Sequence, residues 1–94
     1  MIWKAKVYVT LRAGVLDPEG ETINSSLQAL GYDGVSEVRV GKYFEITLDE
    51  DTRDQAAARL EEMCDELLAN PVIEEYQVDL ADGSTETGPA SGRK

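Results

Sequence analysis

The sequence predicts an α+β fold, a two-layer βαββαβ sandwich in which two helices cover one face of a mostly antiparallel sheet. Two kinds of apolar periodicity carry this prediction. Apolar and polar residues alternate with the period of two that is typical of strands near residues 2–12, 35–49 and 73–80. Apolar residues recur at helical spacing in the two intervening stretches, near residues 18–30 and 52–70.

The first strand is unusually long. Its alternation covers about 11 residues, or near 36 Å at roughly 3.3 Å per residue. Typical strands are about half that length. We therefore expect one end of this strand to pair beyond its own subunit, so that the sheet extends across subunits in an oligomer.

The first helix is predicted over residues 18–30. Asp17 is a good N-cap because its carboxylate can accept hydrogen bonds from the backbone N–H groups of the first turn. Pro18 suits the first helical position, where no N–H is needed, and Gly31 is a natural residue to end the helix. The expected apolar stripe of this helix consists of Ile23, Leu27 and Leu30.

Residues 35–49 are predicted to form a hairpin that turns at Gly41 and Lys42. A loop of three residues, beginning at Gly41, keeps the apolar side chains of both strands on one face, which a two-residue turn would not do. In this register Arg39 lies opposite Glu45 on the outer face, as a cross-strand ion pair.

The second helix is predicted to start near Thr52, which forms a T-x-x-Q capping box with Gln55. Its expected apolar face is the strongest helical pattern in the chain and consists of Ala56, Leu60, Met63, Cys64, Leu67 and Leu68. A last strand follows over residues 73–80. We assign residues 1–80 to a single domain and residues 81–94, rich in Gly, Ser and Thr, to a flexible tail.

Charge and composition exclude several classes of partner. The 94 residues include 19 acidic and 9 basic side chains, giving a net charge of −10, so nucleic acid and anionic membranes would repel the chain. No apolar run approaches the roughly 18 residues of a membrane span, and the N-terminus lacks the apolar core of a signal peptide. With a single cysteine, which excludes an internal disulfide, these features predict a cytoplasmic protein.

The sequence offers no evident catalytic group. It contains no histidine, the usual general base and the commonest metal ligand. Cys64 lies within an apolar helical stripe, which predicts a buried, inert thiol. Asp49, Glu50, Asp51 and Asp54 lack the glycine and the distal glutamate of a calcium loop, which favours a solvated turn. We expect no catalytic, cofactor-binding or metal-binding residue on this chain.

Two motifs nevertheless carry information about function. Residues 7–20 read V-x-V-x-L-x-x-G-V-L-D-P-E-G, and residues 38–45 read V-R-V-G-K-Y-F-E. At this spacing they resemble the PurS family, the small subunit of phosphoribosylformylglycinamidine synthase, and the resemblance covers residues 2–80. The candidate partner-contact or motif residues are Asp17, Pro18, Gly20, Arg39, Gly41, Lys42 and Glu45.

The resemblance implies a non-catalytic accessory subunit of an ATP- and glutamine-dependent ligase in de novo purine biosynthesis. Such a subunit forms a homodimer or homotetramer, bridges the glutaminase subunit and the large synthetase subunit, and supports ammonia transfer to formylglycinamide ribonucleotide. The large partner uses ATP and magnesium, and no cofactor is implied on this chain. The motif residues are then either partner contacts or residues that only maintain the fold.

Two other functions are compatible with the predicted fold. The first is a small-molecule-binding regulatory module that dimerises edge to edge. The second is a freestanding enzyme, which the lack of histidine and of an activated nucleophile disfavours.

Overall fold

The structure is a computed structural model, and it describes residues 1–83. The elements, in chain order, are β1 (Ile2–Leu11), α1 (Pro18–Ala29), β2 (Gly41–Asp49), α2 (Arg53–Met63), a π-helical turn (Cys64–Leu68) that continues α2, and β3 (Glu74–Asp82). The α+β class, with an antiparallel sheet and two helices, is confirmed. The described residues hold three strands, one fewer than the sequence predicted.

Strand β1 lies in the centre of the sheet, in the order β2-β1-β3, and pairs antiparallel with both neighbours. Ile2 to Thr10 pair with β2, and Trp3 to Leu11 pair with β3. The expectation that one end of β1 pairs beyond its own subunit is therefore wrong, because both sides of this strand are occupied. Within residues 1–83, the outer edges of β2 and β3 are the ones that face no other strand.

The predicted hairpin is also wrong, because residues 35–40 form no strand. Gly41, expected in the turn, lies in the ladder opposite Thr10, and β2 continues from there along the edge of β1. That edge offers a ladder of nine residue pairs, whereas the predicted hairpin, residues 35–40 against 44–49, could form six. A Cβ atom on Gly41 would lie 2.5 Å from the Val9 carbonyl oxygen, so this close approach requires glycine.

The core lies between the inner face of the sheet and α2. The alternation in β1 is as predicted, and the buried residues of the core are Trp3, Ala5, Val7, Val9, Ala56, Leu60, Cys64 and Ala69. Half-buried side chains of β2 and β3 pack around part of this core, among them Phe44, Ile46 and Val78. The apolar side chains of both strands thus share one face of the sheet, as the predicted alternation requires.

The π-helical turn changes which side chains of α2 face the core. The Ala69 N–H donates to the Cys64 carbonyl oxygen at 2.9 Å, a step of five residues that adds one residue to the turn. Leu67, predicted in the apolar face, is consequently 83% exposed. Leu68 and Ala69 take the inward positions in its place.

Helix α1 contributes little to the core. Gly20 is its one buried residue, and the cluster of buried residues and their apolar neighbours contains no α1 side chain. Of the predicted stripe, Ile23 is 38% exposed and Leu30 is 73% exposed. The stripe exists on the helix, but it does not face the core of this chain.

The predicted helix starts are confirmed. Asp17 caps α1 and Thr52 caps α2, each by accepting a hydrogen bond from the backbone N–H three residues further on. Strand β3 continues two residues past its predicted end, and residues 84–94 of the predicted tail lie outside the described residues. In the part of the chain that the structure describes, no helix is long and apolar enough to cross a membrane.

Candidate functional site

Three segments meet at one end of the sheet, where β1 ends, α1 begins and β2 begins. We define the junction as residues 11–12, 17–20 and 38–41. At its centre the Asp17 carboxylate accepts two backbone hydrogen bonds, from Gly20 N–H to Oδ1 and from Val40 N–H to Oδ2, each at 2.9 Å. The two sequence motifs, separated by 17 residues in the chain, are thus joined by one side chain.

These hydrogen bonds determine the charge state of Asp17. The Val40 and Gly20 amides hold the pKa of its carboxyl below the ordinary value of 3.8, partial burial opposes this shift, and the nearby Arg39 guanidinium lowers the pKa further. The carboxylate is therefore ionised throughout the neutral range. Pro18 occupies the first helical position beside it, where the absent N–H costs no hydrogen bond.

Gly20 is required by the way residues 38–40 pass over the first turn of α1. A Cβ atom at this position would overlap the Val38 carbonyl oxygen and would lie 2.8 Å from Asp17 Oδ2. Any larger residue must push residues 38–40 away from the helix or displace the Asp17 carboxylate. The glycine of the first motif therefore allows the second motif to approach.

Arg39 connects the junction to the end of β1. Its guanidinium donates to the Leu11 carbonyl oxygen at 2.7 Å and to the Arg12 carbonyl oxygen at 3.4 Å. The expected ion pair between Arg39 and Glu45 is absent among the described contacts, because without the hairpin these residues are not opposite each other. Glu45 instead accepts a hydrogen bond from the Tyr43 hydroxyl at 2.8 Å.

The junction unites five of the seven residues singled out from the sequence: Asp17, Pro18, Gly20, Arg39 and Gly41. Lys42 and Glu45 lie outside it, on opposite faces of the sheet. Lys42 has its Nζ 3.7 Å from Glu74 Oε2, so that this ion pair crosses the central strand. Glu45 lies on the outer face, next to the paired rings of Tyr8 and Tyr43, whose centroids are 5.2 Å apart.

Sequence reasoning missed a shallow cleft of about 200 Å³ beside the π-helical turn. It is lined by Arg12, Asp65, Ala69, Pro71, Glu74, Glu75 and Tyr76. The Arg12 guanidinium donates a hydrogen bond to the Pro71 carbonyl oxygen at 2.9 Å. These residues come from three separate segments, so no local pattern could have indicated that they share a cleft.

The groups near the cleft favour hydrogen bonding over catalysis. Burial raises the pKa of the Tyr76 hydroxyl, and the neighbouring Asp65 raises it further, so the phenol stays protonated. Burial also raises the pKa of the Cys64 thiol, with smaller contributions from Asp65 and Glu61, which makes it a poor nucleophile. Among residues 1–83 there is no group of three or more His, Cys, Asp or Glu residues placed to hold a metal ion.

Comparison with known proteins identifies the family. The family model PurS, described as phosphoribosylformylglycinamidine (FGAM) synthase, matches residues 4–82. PurS of Synechocystis sp., a subunit of phosphoribosylformylglycinamidine synthase, is 55% identical over 74 residues, which are 79% of this chain and 74% of that protein.

Two solved structures have the same fold. Methanocaldococcus jannaschii PurS, one of the subunits of formylglycinamide ribonucleotide amidotransferase in the purine biosynthetic pathway, is 41% identical with a TM-score of 0.76, over 85% of this chain and 96% of that chain. A chain of PurLQS from Thermotoga maritima is 33% identical with a TM-score of 0.79, over 86% of this chain and 99% of that chain. The protein described here therefore belongs to the PurS family of phosphoribosylformylglycinamidine synthase subunits.

Proposed function

We propose that this chain is the non-catalytic accessory subunit of a phosphoribosylformylglycinamidine synthase in de novo purine biosynthesis. In this role it bridges a glutaminase subunit and a large synthetase subunit and supports ammonia transfer to formylglycinamide ribonucleotide. The large partner uses ATP and magnesium. The observation that carries the proposal is the similarity to a chain of PurLQS from Thermotoga maritima over nearly the whole length of that chain.

The surface of the molecule supports a role in assembly. The outer edges of β2 and β3 face no strand within residues 1–83, and an unpaired strand edge can bind a strand from another chain. Large apolar side chains are exposed on and around α1, namely Leu16, Ile23, Leu30 and Tyr32. These features favour a homodimer or homotetramer whose sheet extends across subunits through β2 or β3.

A contact role also suits the chemistry of ammonia transfer. Ammonia and the activated substrate must be kept from bulk water, which requires closed interfaces between subunits. A subunit that contributes contact surface can meet this need without a nucleophile or base of its own. The buried thiol of Cys64 and the protonated phenol of Tyr76 agree with such a role.

Reconstitution tests the proposal directly. The large synthetase and the glutaminase are assayed with ATP and formylglycinamide ribonucleotide, with and without this chain. We expect omission of the chain to abolish amidine formation from glutamine while amidine formation from added ammonia persists, because the large subunit keeps its own chemistry. Full glutamine-dependent activity without this chain would contradict the proposal.

Lys42→Ala tests whether the second motif contacts a partner directly. Loss of complex assembly would indicate a direct contact, whereas unchanged assembly and activity would leave Lys42 with a structural role through Glu74. Solution mass is measured alongside, since a homodimer or homotetramer has two or four times the 10.3 kDa of one chain.

The alternative of a small-molecule-binding module makes a different prediction. The candidate ligand site for such a module is the cleft of about 200 Å³ next to Tyr76. A ligand-dependent rise in the melting temperature of the isolated chain would favour this alternative. Recovery of a glutaminase and an ATP-binding chain with the native protein would favour the assembly role.

A further inference from the structure

The way in which α1 is attached to the rest of the molecule differs from the usual packing of a helix on a sheet. Helices in small domains are normally held by an apolar face that is buried against the core. In α1 the side chain of Ile23 is exposed and that of Leu27 is half-buried, Leu30 directly after the helix is exposed, and Gly20 is the helix's one buried residue. The direction of α1 therefore has little support from apolar packing within this chain.

Polar contacts at the base of the helix supply that support. Asp17 joins the first turn of α1 to the start of β2 through Gly20 N–H and Val40 N–H. Arg39, one residue before Val40, is tied to the end of β1 through the Leu11 carbonyl oxygen.

Residues 35 and 38, which precede β2, contact α1 directly. Gln28 donates a side-chain hydrogen bond to the Val35 carbonyl oxygen, and the Val38 carbonyl oxygen rests against Gly20. Residues 35–40 belong to no strand, so no sheet ladder fixes them in place. Arg39 ties these residues to the end of β1, and Asp17 ties the first turn of α1 to Val40, which directly precedes β2.

We propose that α1 is a hinged arm, and that the Asp17 carboxylate is the latch that sets its direction by holding Gly20 N–H and Val40 N–H at once. Asp17 is a positioning residue in this account: it touches no ligand, and its effect is transmitted through the orientation of the helix. The proposal is independent of the proposed function, because it concerns hydrogen bonds within one chain.

Asp17→Asn separates the two bonds that the latch makes. The amide oxygen of asparagine still caps the helix by accepting from Gly20 N–H. Its amide nitrogen is a donor and cannot accept from Val40 N–H. The variant therefore keeps the capped helix and loses the connection between α1 and β2.

The test is a distance measurement by pulsed electron spin resonance. Spin labels are placed at Ser26→Cys on α1 and Gln77→Cys on the outer face of β3, both exposed positions. The native Cys64 is buried and should not react with the spin-label reagent. Treating the native chain with the same reagent checks this. Labelled chain is diluted into excess unlabelled chain, so that any oligomer carries one labelled copy.

We expect Asp17→Asn to broaden the distribution of distances from Ser26→Cys to Gln77→Cys by about a factor of two, as for an element released from a local constraint. The matched control is Thr52→Ala, which removes the cap of α2 but no contact between elements. Its effect is read from labels at Ala57→Cys and Gln77→Cys, whose distance distribution should stay unchanged.

An unchanged α1 distance distribution in Asp17→Asn would overturn the proposal. Equal broadening of the α1 and α2 distributions would also overturn it, since that result would indicate general loosening of the fold. A melting curve of each variant, recorded beside the distances, confirms that the labelled chains are folded.

Discussion

Helices α1 and α2 have similar local signals but different anchors. Each begins with a side-chain cap, carries at least one acidic residue in its first turn and has no basic residue in its last turn. Yet α2 buries Ala56 and Leu60 completely, and the π-helical turn that continues it buries Cys64, whereas Gly20 is the one buried residue of α1. The comparison teaches that local helix signals determine where a helix forms, while tertiary contacts determine how firmly it is held.

The largest difference between the helices should appear when an apolar side chain is removed from each. Leu60→Ala leaves a cavity in the core and should lower the free energy of unfolding by about 2–5 kcal/mol. Leu30→Ala, at the C-cap of α1, removes an exposed side chain and should change it by no more than about 0.5 kcal/mol. Urea denaturation of both variants measures the two values, and equal losses would contradict the different anchoring.

A smaller difference in stability is expected between alanine substitutions at Gly20, in α1, and at Gly34, after it. Gly20→Ala forces a Cβ against the Val38 carbonyl oxygen and should cost about 1–3 kcal/mol, as overpacking does. Gly34→Ala is the matched control, because nothing lies within 4 Å of its Cβ position. Thermal unfolding should show a lower midpoint for the first variant alone. Equal midpoints would contradict this prediction, because they would show that residues 38–40 move away from the added Cβ atom at no cost in stability.

The smallest effect is a pH dependence confined to the junction around Asp17. The folded-state pKa of Asp17 is lowered, so its contribution is present above the unfolded value of about 3.8 and is lost as pH falls through the lower folded value. Arg39 is the charged side chain coupled to it. The amide resonance of Val40, followed by NMR, should titrate in that acidic range and should not do so in Asp17→Asn. A titration that survives in the variant would assign the effect to another group.

The same contrast explains how much of the fold the sequence predicts. Strand faces and helix caps depend on neighbours a few residues away, and these predictions are confirmed in β1, β2 and β3 and at Asp17 and Thr52. The hairpin failed because a local pairing competed with the long edge of β1, which only the folded chain presents. Leu67 was misplaced because one hydrogen bond, from Ala69 to Cys64, changes the helical period.

The candidate site was predictable only in part. The N-cap role of Asp17 follows from its position before Pro18, but its bond to Val40 spans 23 residues and leaves no mark in local periodicity. The two motifs indicated the correct residues around the junction and suggested a hairpin for the second motif that does not form. Lys42 and Glu45 lie away from the junction because the strand alternation turns them to opposite faces.

Hydrogen exchange of individual amides in the native chain and in Asp17→Asn tests the central claim most directly. If Asp17 anchors α1 and apolar burial anchors α2, a released α1 of 12 residues is too short to be stable without tertiary support. The variant should then lose protection in residues 18–30 and at Val40, while residues 53–63 keep theirs. Equal loss of protection in both helices, or no loss in α1, would contradict the account.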